Sequence, residues 1–358
     1  MLHAAPGKGV SVLREVTIRS RAPLRLGLAG GGTDLSPYCD EYGGAILNCT
    51  IDRYAYAFIT PRNDGVIRFV ASDINKEESH QTGNVLDIGA GLRFHRAVYN
   101  YFVESGFLDP KIGMTVTTGV DSPPGSGLGS SSALAVALCE AFRFFCNTPL
   151  GLYDLAHLAF EIERLKLSLA GGKQDQYAAS FGGVNFIEFL PQDRVIVNPL
   201  RVDRSVLNEL EASLVVCSTG VSRESEQIIN QQVGRMVERN AQTLEALHAI
   251  KQAAIDMKQA LLTGNLRALG EILNHSWISK KKTASGVSTQ VIDTLFDAGM
   301  QSGAHAGKIS GAGGGGFIMF LVEPEKRRQL IARLNEAGGS AGPVHLTGRG
   351  VESWKTQN

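Results

Sequence analysis

The stretch GVDSPPGSGLGSSSALAVALCEAF (119–142) joins a loop of proline, glycine and serine to a long apolar helix. A predicted strand, IGMTVTTGV (112–120), leads into the loop, and the predicted helix 130–146 begins where the loop ends. Glycines let backbone N–H groups approach a ligand. The first N–H groups of a helix are unpaired and carry partial positive charge, so they bind anions. The stretch therefore favours a phosphate-binding loop over a simple capped turn, with the serines at 130–132 as caps or as additional hydroxyl donors.

The composition is that of an ordinary globular protein, since 43% of the 358 residues are hydrophobic and 20% are charged. Lys and Arg number 35, as do Asp and Glu, so no net field attracts nucleic acid or an anionic membrane, and we predict neither as a partner. Five scattered cysteines without a C-x-x-C pair, no apolar leader and no long apolar run predict a cytoplasmic protein with reduced thiols. We expect a monomer or a homodimer.

Strands and helices alternate in both halves of the chain, which is typical of the α/β and α+β classes. Residues 43–62 are rich in β-branched and aromatic side chains and are predicted to form paired strands. Residues 223–262 have the pattern of a long helix. A polar, proline-containing segment at 191–212 predicts a domain boundary, so that residues 1–205 form one domain and residues 206–358 a second.

Two nucleotide-binding signatures are excluded by spacing and context. The segment GAHAGKIS (303–310) has the wrong spacing for G-x-x-x-x-G-K-[ST], and isoleucine follows its lysine. The segment GAGGGG (311–316) satisfies G-x-G-x-x-G, but it leads into the predicted strand FIMFLV, whereas a dinucleotide fingerprint opens a helix. We therefore predict no nicotinamide cofactor.

An acidic segment, FEIERLKLSLAGGKQDQYAAS (160–180), places Glu161 and Glu163 on a predicted helix and Lys173 and Asp175 after a glycine turn. Phosphoryl transfer needs a metal ligand near the phosphates and a group that takes the proton of the acceptor, and carboxylates serve both purposes. The alternative is that the glutamates are solvated and that the aspartate caps the helix that follows. Taken alone, the pattern fits this alternative at least as well.

Three blocks in this order resemble the motifs of the GHMP kinases: APLRLGLAGGGTDL (22–35), PPGSGLGSSSALA (123–135) and KISGAGGGGFI (308–318). The resemblance extends over about residues 16–350. It implies an α+β fold of two domains, in which the N-terminal domain contains a left-handed β-α-β crossover and the C-terminal domain is a ferredoxin-like α/β sandwich. It also implies ATP and Mg²⁺ in a site between the domains.

The resemblance carries specific roles onto residues of this chain. The base is expected to be Asp175, with Arg25 beside it to favour the ionised carboxylate and to polarise the acceptor oxygen. The metal ligands are expected to be Ser130 and Glu163, with Glu161 as the alternative to Glu163. The residues expected around the nucleotide phosphates are Pro124, Gly125, Ser126, Gly127, Leu128, Gly129, Ser130 and Ser131.

The first block differs from galactokinase in a way that bears on the substrate. Galactokinase has Gly-Glu-His-Thr-Asp where this chain has Gly30 to Asp34, and the missing side chains leave room for an acceptor longer than a hexose. The segments GGGTDL, GGKQDQYAASFGG and SWISKKKTASGVST are similar to those of sugar-1-kinases that act on D-glycero-D-manno-heptose 7-phosphate. The residues expected to contact the acceptor are Gly31, Gly32, Thr33, Asp34, Lys173, Gly313 and Gly314.

The heptose resemblance implies phosphorylation of an anomeric hydroxyl to give a 1,7-bisphosphate, in the synthesis of nucleotide-activated heptose for capsule or lipopolysaccharide. Its partners would be a sugar phosphate and a nucleotide. A distal phosphate needs local cations, and the candidates are Lys173, the lysines at 280–282 and Arg349. Two alternatives stay open: a kinase for unphosphorylated fucose, galactose or mannose, and a sugar sensor without catalytic activity.

Overall fold

The computed structural model of the protein describes residues 16–221 and 225–357. The predicted start of a helix at 223, and residues 1–15 of the predicted first domain, lie outside the described residues. The first elements are β1 (Val16–Ala29), α1 (Tyr38–Tyr42), β2 (Gly44–Arg62), β3 (Val66–Ala71), β4 (Lys76–Gln81), α2 (Arg93–Glu104), β5 (Gly113–Val120), α3 (Ser130–Phe145), α4 (Leu152–Phe160), α5 (Gln174–Phe181), β6 (Val184–Leu190), β7 (Arg194–Pro199) and α6 (Arg204–Ser213). After α4, Glu161–Lys166 form a π-helix.

The remaining elements are β8 (Leu214–Ser218), α7 (Ser225–Val237), α8 (Ala241–Leu262), α9 (Leu266–Lys281), α10 (Gln290–Gln301), β9 (Ala304–Ile309), β10 (Phe317–Val322), α11 (Arg327–Glu336), β11 (Ser340–Pro343) and β12 (Glu352–Gln357). A short 3₁₀ turn, Pro324–Lys326, precedes α11. The predicted alternation of strands and helices is therefore present in both parts of the chain.

The strands form two sheets. In the larger sheet the order is β12–β1–β2–β5–β3–β4, with β6 bonded to β2 and β7 bonded to β6. The pair β3 and β5 is parallel and is connected through β4 and α2. In the smaller sheet the order is β11–β8–β10–β9 and all neighbours are antiparallel. This order, with helices after β8 and after β10, is the β-α-β-β-α-β arrangement of ferredoxin-like domains, as the resemblance implies.

Helix α3 fixes the position of the glycine loop because it is the central helix of the larger core. It packs on β1 and β2 and is covered by α2, α4 and α5. Nearly every side chain from Ser132 to Phe142 is buried, which explains why the helix is apolar on all sides rather than on one stripe. A helix held in this way holds its N-terminus firmly against the sheet.

The prediction of paired strands at 43–62 is wrong, because β2 is a single strand of 19 residues. One edge pairs with β1 between residues 47 and 59, and the other edge changes partner: residues 44–49 pair with β6 and residues 55–62 pair with β5. The polar residues near its middle mark this change of partner. Content of β-branched and aromatic residues indicates a strand but not which neighbour supplies its hydrogen bonds.

The predicted polar segment at 191–212 contains β7 and α6. Strand β7 bonds only to β6 among the described residues, so it is an edge strand with several exposed side chains, which weakens its apolar signal. The C-terminal strand β12 returns to the larger sheet and pairs with β1. The division at 205 and 206 stays a prediction. In the part of the chain that the structure describes, no helix has the length and apolar character to span a bilayer.

Candidate active site

A cleft of about 360 Å³ opens between the glycine loop and the segments that face it. Its walls include residues of the first block between Arg25 and Leu35, most of the loop at 124–131 and of the turn at 170–175, and parts of α2, α7, α9, β9 and the segment after β9. All three blocks of the resemblance therefore contribute to one cavity. Its volume is in the range of small-molecule sites.

Arg25 and Asp175 form a bidentate ion pair in this cleft. The Arg25 Nε lies 2.7 Å from one carboxylate oxygen of Asp175, and Nη2 lies 2.8 Å from the other. The Arg25 Nη1 also donates to the carbonyl of Gly127 at 2.5 Å and to the Ser310 Oγ at 3.4 Å. A guanidinium fork fixes the orientation of a carboxylate. One arginine thus connects the aspartate to the glycine loop and to the third block.

The alternative in which Asp175 caps a helix is wrong. Helix α5 begins at Gln174, its preceding residue Lys173 makes no capping bond through its side chain, and Asp175 lies in the first turn. The Asp175 side chain is 18% exposed and faces the cleft. Its carboxylate is therefore available to a bound molecule while it is held by Arg25.

The N-terminus of α3 lies beside this ion pair. Gly129 precedes the helix with φ +78°, a left-handed conformation that favours glycine. Of the residues expected around the phosphates, all line the cleft except Leu128, which is fully buried and accepts a bond from the Arg25 N–H at 2.9 Å. Ser126 and Ser130 hydrogen-bond to each other through their hydroxyls at 2.8 Å.

The third block supports the glycine loop from behind. An added Cβ at Gly127 would lie 2.3 Å from the Ser310 carbonyl oxygen, so only glycine permits this approach. Gly311 and Ala312 line the cleft. Gly313 and Gly314 are not among the lining residues; instead they pack on Val287, whose carbonyl accepts a bond from the Gly314 N–H at 2.9 Å. Their predicted contact with the acceptor stays a prediction.

Glu163 is fully buried below the start of α3, so the alternative of a solvated residue is wrong for it. Its carboxylate accepts bonds from the hydroxyls of Ser131 at 2.6 Å and Ser132 at 2.7 Å, and from the Gln176 amide at 2.6 Å. Glu161 is different, because its side chain is 43% exposed and lies 3.4 Å from His157. Of the two glutamates, only Glu163 contacts the serines at the start of α3.

The first block forms the opposite wall. Gly31, Gly32 and Asp34 line the cleft, whereas the Thr33 hydroxyl is buried and donates to backbone carbonyls. Asp34 accepts bonds from the backbone N–H of Gln174 at 3.1 Å and from its side-chain amide at 3.2 Å. Gln174 also lines the cleft, and sequence reasoning missed it. Its position directly before the predicted base was the available signal.

Most of the predicted cations lie outside the cleft, and one lines it. Lys173 bonds to Asp193 and is not among the residues that line the cleft, and Arg349 is 77% exposed and pairs with Glu352. Lys281 and Lys282 are also exposed. Lys280 lines the cleft, and its Nζ donates to the Gly31 carbonyl at 3.2 Å.

Sequence reasoning did not identify Lys308, a second buried cation of the cleft. Its Nζ donates to the Gly27 carbonyl at 2.7 Å. Burial lowers the pKa of Lys280 to about 8, with Asp34 opposing and Arg25 adding to the shift. Burial, together with the charges of Lys280 and Arg25, holds the pKa of Lys308 well below its usual range. The available signal was a lysine in the strand directly before the third glycine block.

A helix N-terminus with a glycine loop, a carboxylate fixed by arginine and a cation-lined wall are the parts of a small-molecule phosphotransferase. Models of the GHMP kinase N-terminal domain and of the GHMP kinase C-terminal region match residues 93–183 and 257–340. Over 339 residues the chain is 43% identical to the D-glycero-alpha-D-manno-heptose 7-phosphate kinase of Campylobacter jejuni. The aligned region covers 95% of this chain and 99% of that protein. The chain belongs to the GHMP kinase family.

Solved structures agree with this assignment. The crystal structure of a D-glycero-D-manno-heptose 1-phosphate kinase from Bacteroides thetaiotaomicron is 42% identical, with a TM-score of 0.82 and coverage of 95% of this chain and 100% of that one. The Lactococcus lactis galactokinase complexed with galactose is 20% identical with a TM-score of 0.72 over 96% of this chain and 95% of that one, which shows the shared fold. The predicted fold class and the predicted kinase activity on an alcohol group are confirmed, and GHMP kinases use ATP.

Proposed function

We propose that this kinase transfers the γ-phosphoryl group of ATP to the anomeric hydroxyl of D-glycero-D-manno-heptose 7-phosphate and forms the 1,7-bisphosphate. The observation that carries the proposed chemistry is Asp175, held by Arg25 beside the N-terminus of α3. The similarity over nearly the whole chain to a heptose 7-phosphate kinase supports the choice of acceptor.

In the proposed reaction the Asp175 carboxylate accepts the proton of the anomeric hydroxyl. The freed oxygen forms a bond to the γ-phosphorus, and the bond between that phosphorus and its bridging oxygen breaks, so that ADP leaves. An anomeric hydroxyl is more acidic than an ordinary alcohol, and one carboxylate suffices as its base. Arg25 orients Asp175 and supplies positive charge at the point where negative charge develops.

The glycine loop supports the binding of ATP. Left-handed glycines at 125, 127 and 129 turn the backbone toward the cleft, and the unpaired N–H groups of α3 attract phosphate. Mg²⁺ accepts oxygen ligands from one or two carboxylates together with substrate phosphates, and Ser130 and Glu163 offer that donor set. When bound, the ion neutralises charge on the phosphates. The Glu163 carboxylate is already contacted by Ser131, Ser132 and Gln176 and, at 3.2 Å, by Arg164, so in this proposal the ion replaces one of these contacts.

The remaining roles in the proposal belong to residues of the first block, which forms the wall opposite the glycine loop. Asp34 accepts hydrogen bonds from acceptor hydroxyls, and Gly31 and Gly32 leave space for the longer sugar. Roles for Thr33, Lys173, Gly313 and Gly314 stay predictions. We further propose that the enzyme works in the cytoplasm as a monomer or homodimer, and supplies nucleotide-activated heptose for capsule or lipopolysaccharide.

A coupled assay of ADP release with a panel of acceptors tests the proposal. We expect turnover on heptose 7-phosphate and much less on free heptose, fucose, galactose and mannose. Turnover on a free hexose with none on heptose 7-phosphate would overturn the acceptor. ATP binding without turnover on any acceptor would instead favour a sensor.

The variant Asp175→Asn tests the chemistry. We expect kcat to fall by about 10²- to 10⁴-fold with nucleotide binding retained, because a general base contributes that much. Asp256→Asn, on the exposed face of α8, is the matched control and should keep wild-type turnover. Undiminished turnover in Asp175→Asn would remove this aspartate from the mechanism.

A further inference from the structure

Lys280 and Lys308 are two ammonium groups buried in one cleft. Their side chains are 4% and 3% exposed, and both line the cavity. Their hydrogen-bond partners are neutral carbonyl groups of the first block, those of Gly31 and Gly27. Among the carboxylates of residues 16–221 and 225–357, none lies within 4.0 Å of either Nζ. Burying a charge without a counter-ion costs free energy. We therefore expect an anion from outside the chain to bind here.

The two lysines come from different elements and converge. Lys308 lies on β9, one residue before the end of that strand. Lys280 lies in the last turn of α9. The charge of Lys280 contributes to lowering the pKa of Lys308, which means that the two ammonium groups repel each other across a short distance. A single dianion between them relieves that repulsion and satisfies both donors.

The position of the two lysines indicates that the acceptor, and not ATP, supplies this anion. Both ammonium groups contact the backbone of the first block, and a Cβ at Gly31 would lie 3.7 Å from the Lys280 Nζ and 4.0 Å from the Gln174 amide nitrogen. Gln174 in turn bonds to Asp34. This wall is the acceptor wall of the proposed reaction, whereas the phosphates of ATP have their own donors at the glycine loop.

We propose that Lys280 and Lys308 together bind the distal phosphate monoester of the acceptor and make this kinase select phosphorylated sugars. The inference rests on the proposed function for the identity of the sugar. Lysine is suited to the task because it is a compact charge with several donors, which accommodates a freely rotating phosphate. Lys280 and Lys308 are therefore specificity-determining residues, and Asp175 does the proton transfer.

The experiment compares acceptors that differ only in the distal phosphate. Steady-state kinetics are measured for wild type, Lys280→Met and Lys308→Met with heptose 7-phosphate, heptose, mannose 6-phosphate and mannose. We expect each variant to lose about 10- to 100-fold in kcat/KM on the phosphorylated acceptor, mainly through KM, because a hydrogen bond to a charged group is lost. The loss on the matching free sugar should be far smaller, and the KM for ATP should not rise.

Lys281→Met is the control, because this neighbouring lysine is exposed and lies over the Trp277 ring at 5.6 Å. Methionine at a buried lysine position removes charge and keeps volume, so folding is retained; thermal unfolding checks this. As a binding readout, heptose 7-phosphate is titrated calorimetrically into each protein without nucleotide, and we expect weaker binding only in Lys280→Met and Lys308→Met.

Each other outcome has a defined meaning. Equal losses on phosphorylated and free sugars overturn the lysine pair but leave the proposed function intact. A raised KM for ATP with unchanged acceptor preference assigns the lysines to the donor phosphates and also overturns the inference. If wild type acts on mannose 6-phosphate and not on heptose 7-phosphate, and the variants lose that activity selectively, the proposed acceptor is wrong and the lysine pair stands.

Discussion

Gly129 and Asp175 are in van der Waals proximity: a methyl group added at Gly129 would lie 3.4 Å from the Asp175 Cγ and 3.5 Å from the Arg25 Cγ. Gly129 is also the last residue before α3 and has φ +78°. The backbone that opens α3 and the Asp175 carboxylate therefore share one wall of the cleft.

We expect Gly129→Ala to impair both stability and activity. A left-handed conformation costs a non-glycine residue about 1–2 kcal/mol. Relief of this strain moves the backbone at 129, which contacts Asp175 and Arg25. A displacement of about 1 Å of a reacting group can reduce kcat by up to about 100-fold. Gly234→Ala in α7 is the control, because no atom lies within 4 Å of its added methyl group; we expect unfolding free energy to rise by up to about 1 kcal/mol there. Chemical denaturation measures the stability of both variants, and ADP release measures their activity.

Arg25→Lys tests the guanidinium fork and not the charge. Lysine keeps the positive charge but cannot hold both oxygens of Asp175 and the Gly127 carbonyl at once. We expect kcat to fall by about 10- to 100-fold, the equivalent of a lost hydrogen bond to a charged group.

Arg21→Lys is a matched control on the same strand, since Arg21 donates through Nε and Nη2 to Glu352. That pair is partly exposed, with side chains 34% and 26% exposed, and it lies outside the cleft. We expect unchanged kcat and a loss of less than about 1 kcal/mol in stability. Equal effects of the two substitutions on kcat would contradict the positioning role of Arg25.

Local features of the sequence predict the glycine loop, and the family motif predicts the contact between Arg25 and Asp175. The composition of the loop at 123–129 predicts its conformation, because its glycines at 125, 127 and 129 adopt positive φ values. Asp175 and Arg25 were paired through the resemblance, and they form the ion pair that it implies. In this part of the site the predictions concern contacts that short sequence motifs determine.

Features that depend on distant packing were not predictable. Nothing in the local sequence distinguishes Lys308 from an exposed lysine, and its contact with the Gly27 carbonyl joins residues that are far apart in the chain. Lys173 was expected in the cleft, yet its nearest anion, Asp193, is supplied by the turn between β6 and β7. Charge alone does not indicate which side of an element faces a cavity.

Glu163→Gln and Glu161→Gln separate the two candidate metal ligands. One Glu163 oxygen accepts from Ser131, and the other accepts from Ser132 and Gln176. In Glu163→Gln an amide N–H₂ replaces one of these oxygens, so a donor faces a donor, and the charge that pairs with Arg164 at 3.2 Å is lost. We expect stability to fall by about 3–5 kcal/mol and the Mg²⁺ concentration for half-maximal activity to rise by about 10-fold or more. Glu161→Gln should change neither. An unaltered Mg²⁺ requirement in Glu163→Gln would restrict this glutamate to supporting the loop.

The last prediction concerns pH and Lys280, whose pKa burial lowers from its ordinary value of 10.5 to about 8. Between these two values the unfolded chain keeps the proton and the folded protein does not, so unfolding free energy rises with pH across this window. Below pH 8 the folded protein carries a buried charge at a fixed cost.

Lys280→Met should therefore be more stable than wild type at pH 7, by about 1–3 kcal/mol. The advantage should shrink as the pH rises from 8 toward 10.5, because wild-type Lys280 is then neutral in the folded state. Urea denaturation of both proteins at pH 7, 8, 9 and 10, analysed as the difference between them, cancels most other titrating groups. Lys281→Met should show no such pH-dependent difference. A stability difference that stays constant across this range would mean that Lys280 keeps an ordinary pKa in the folded protein.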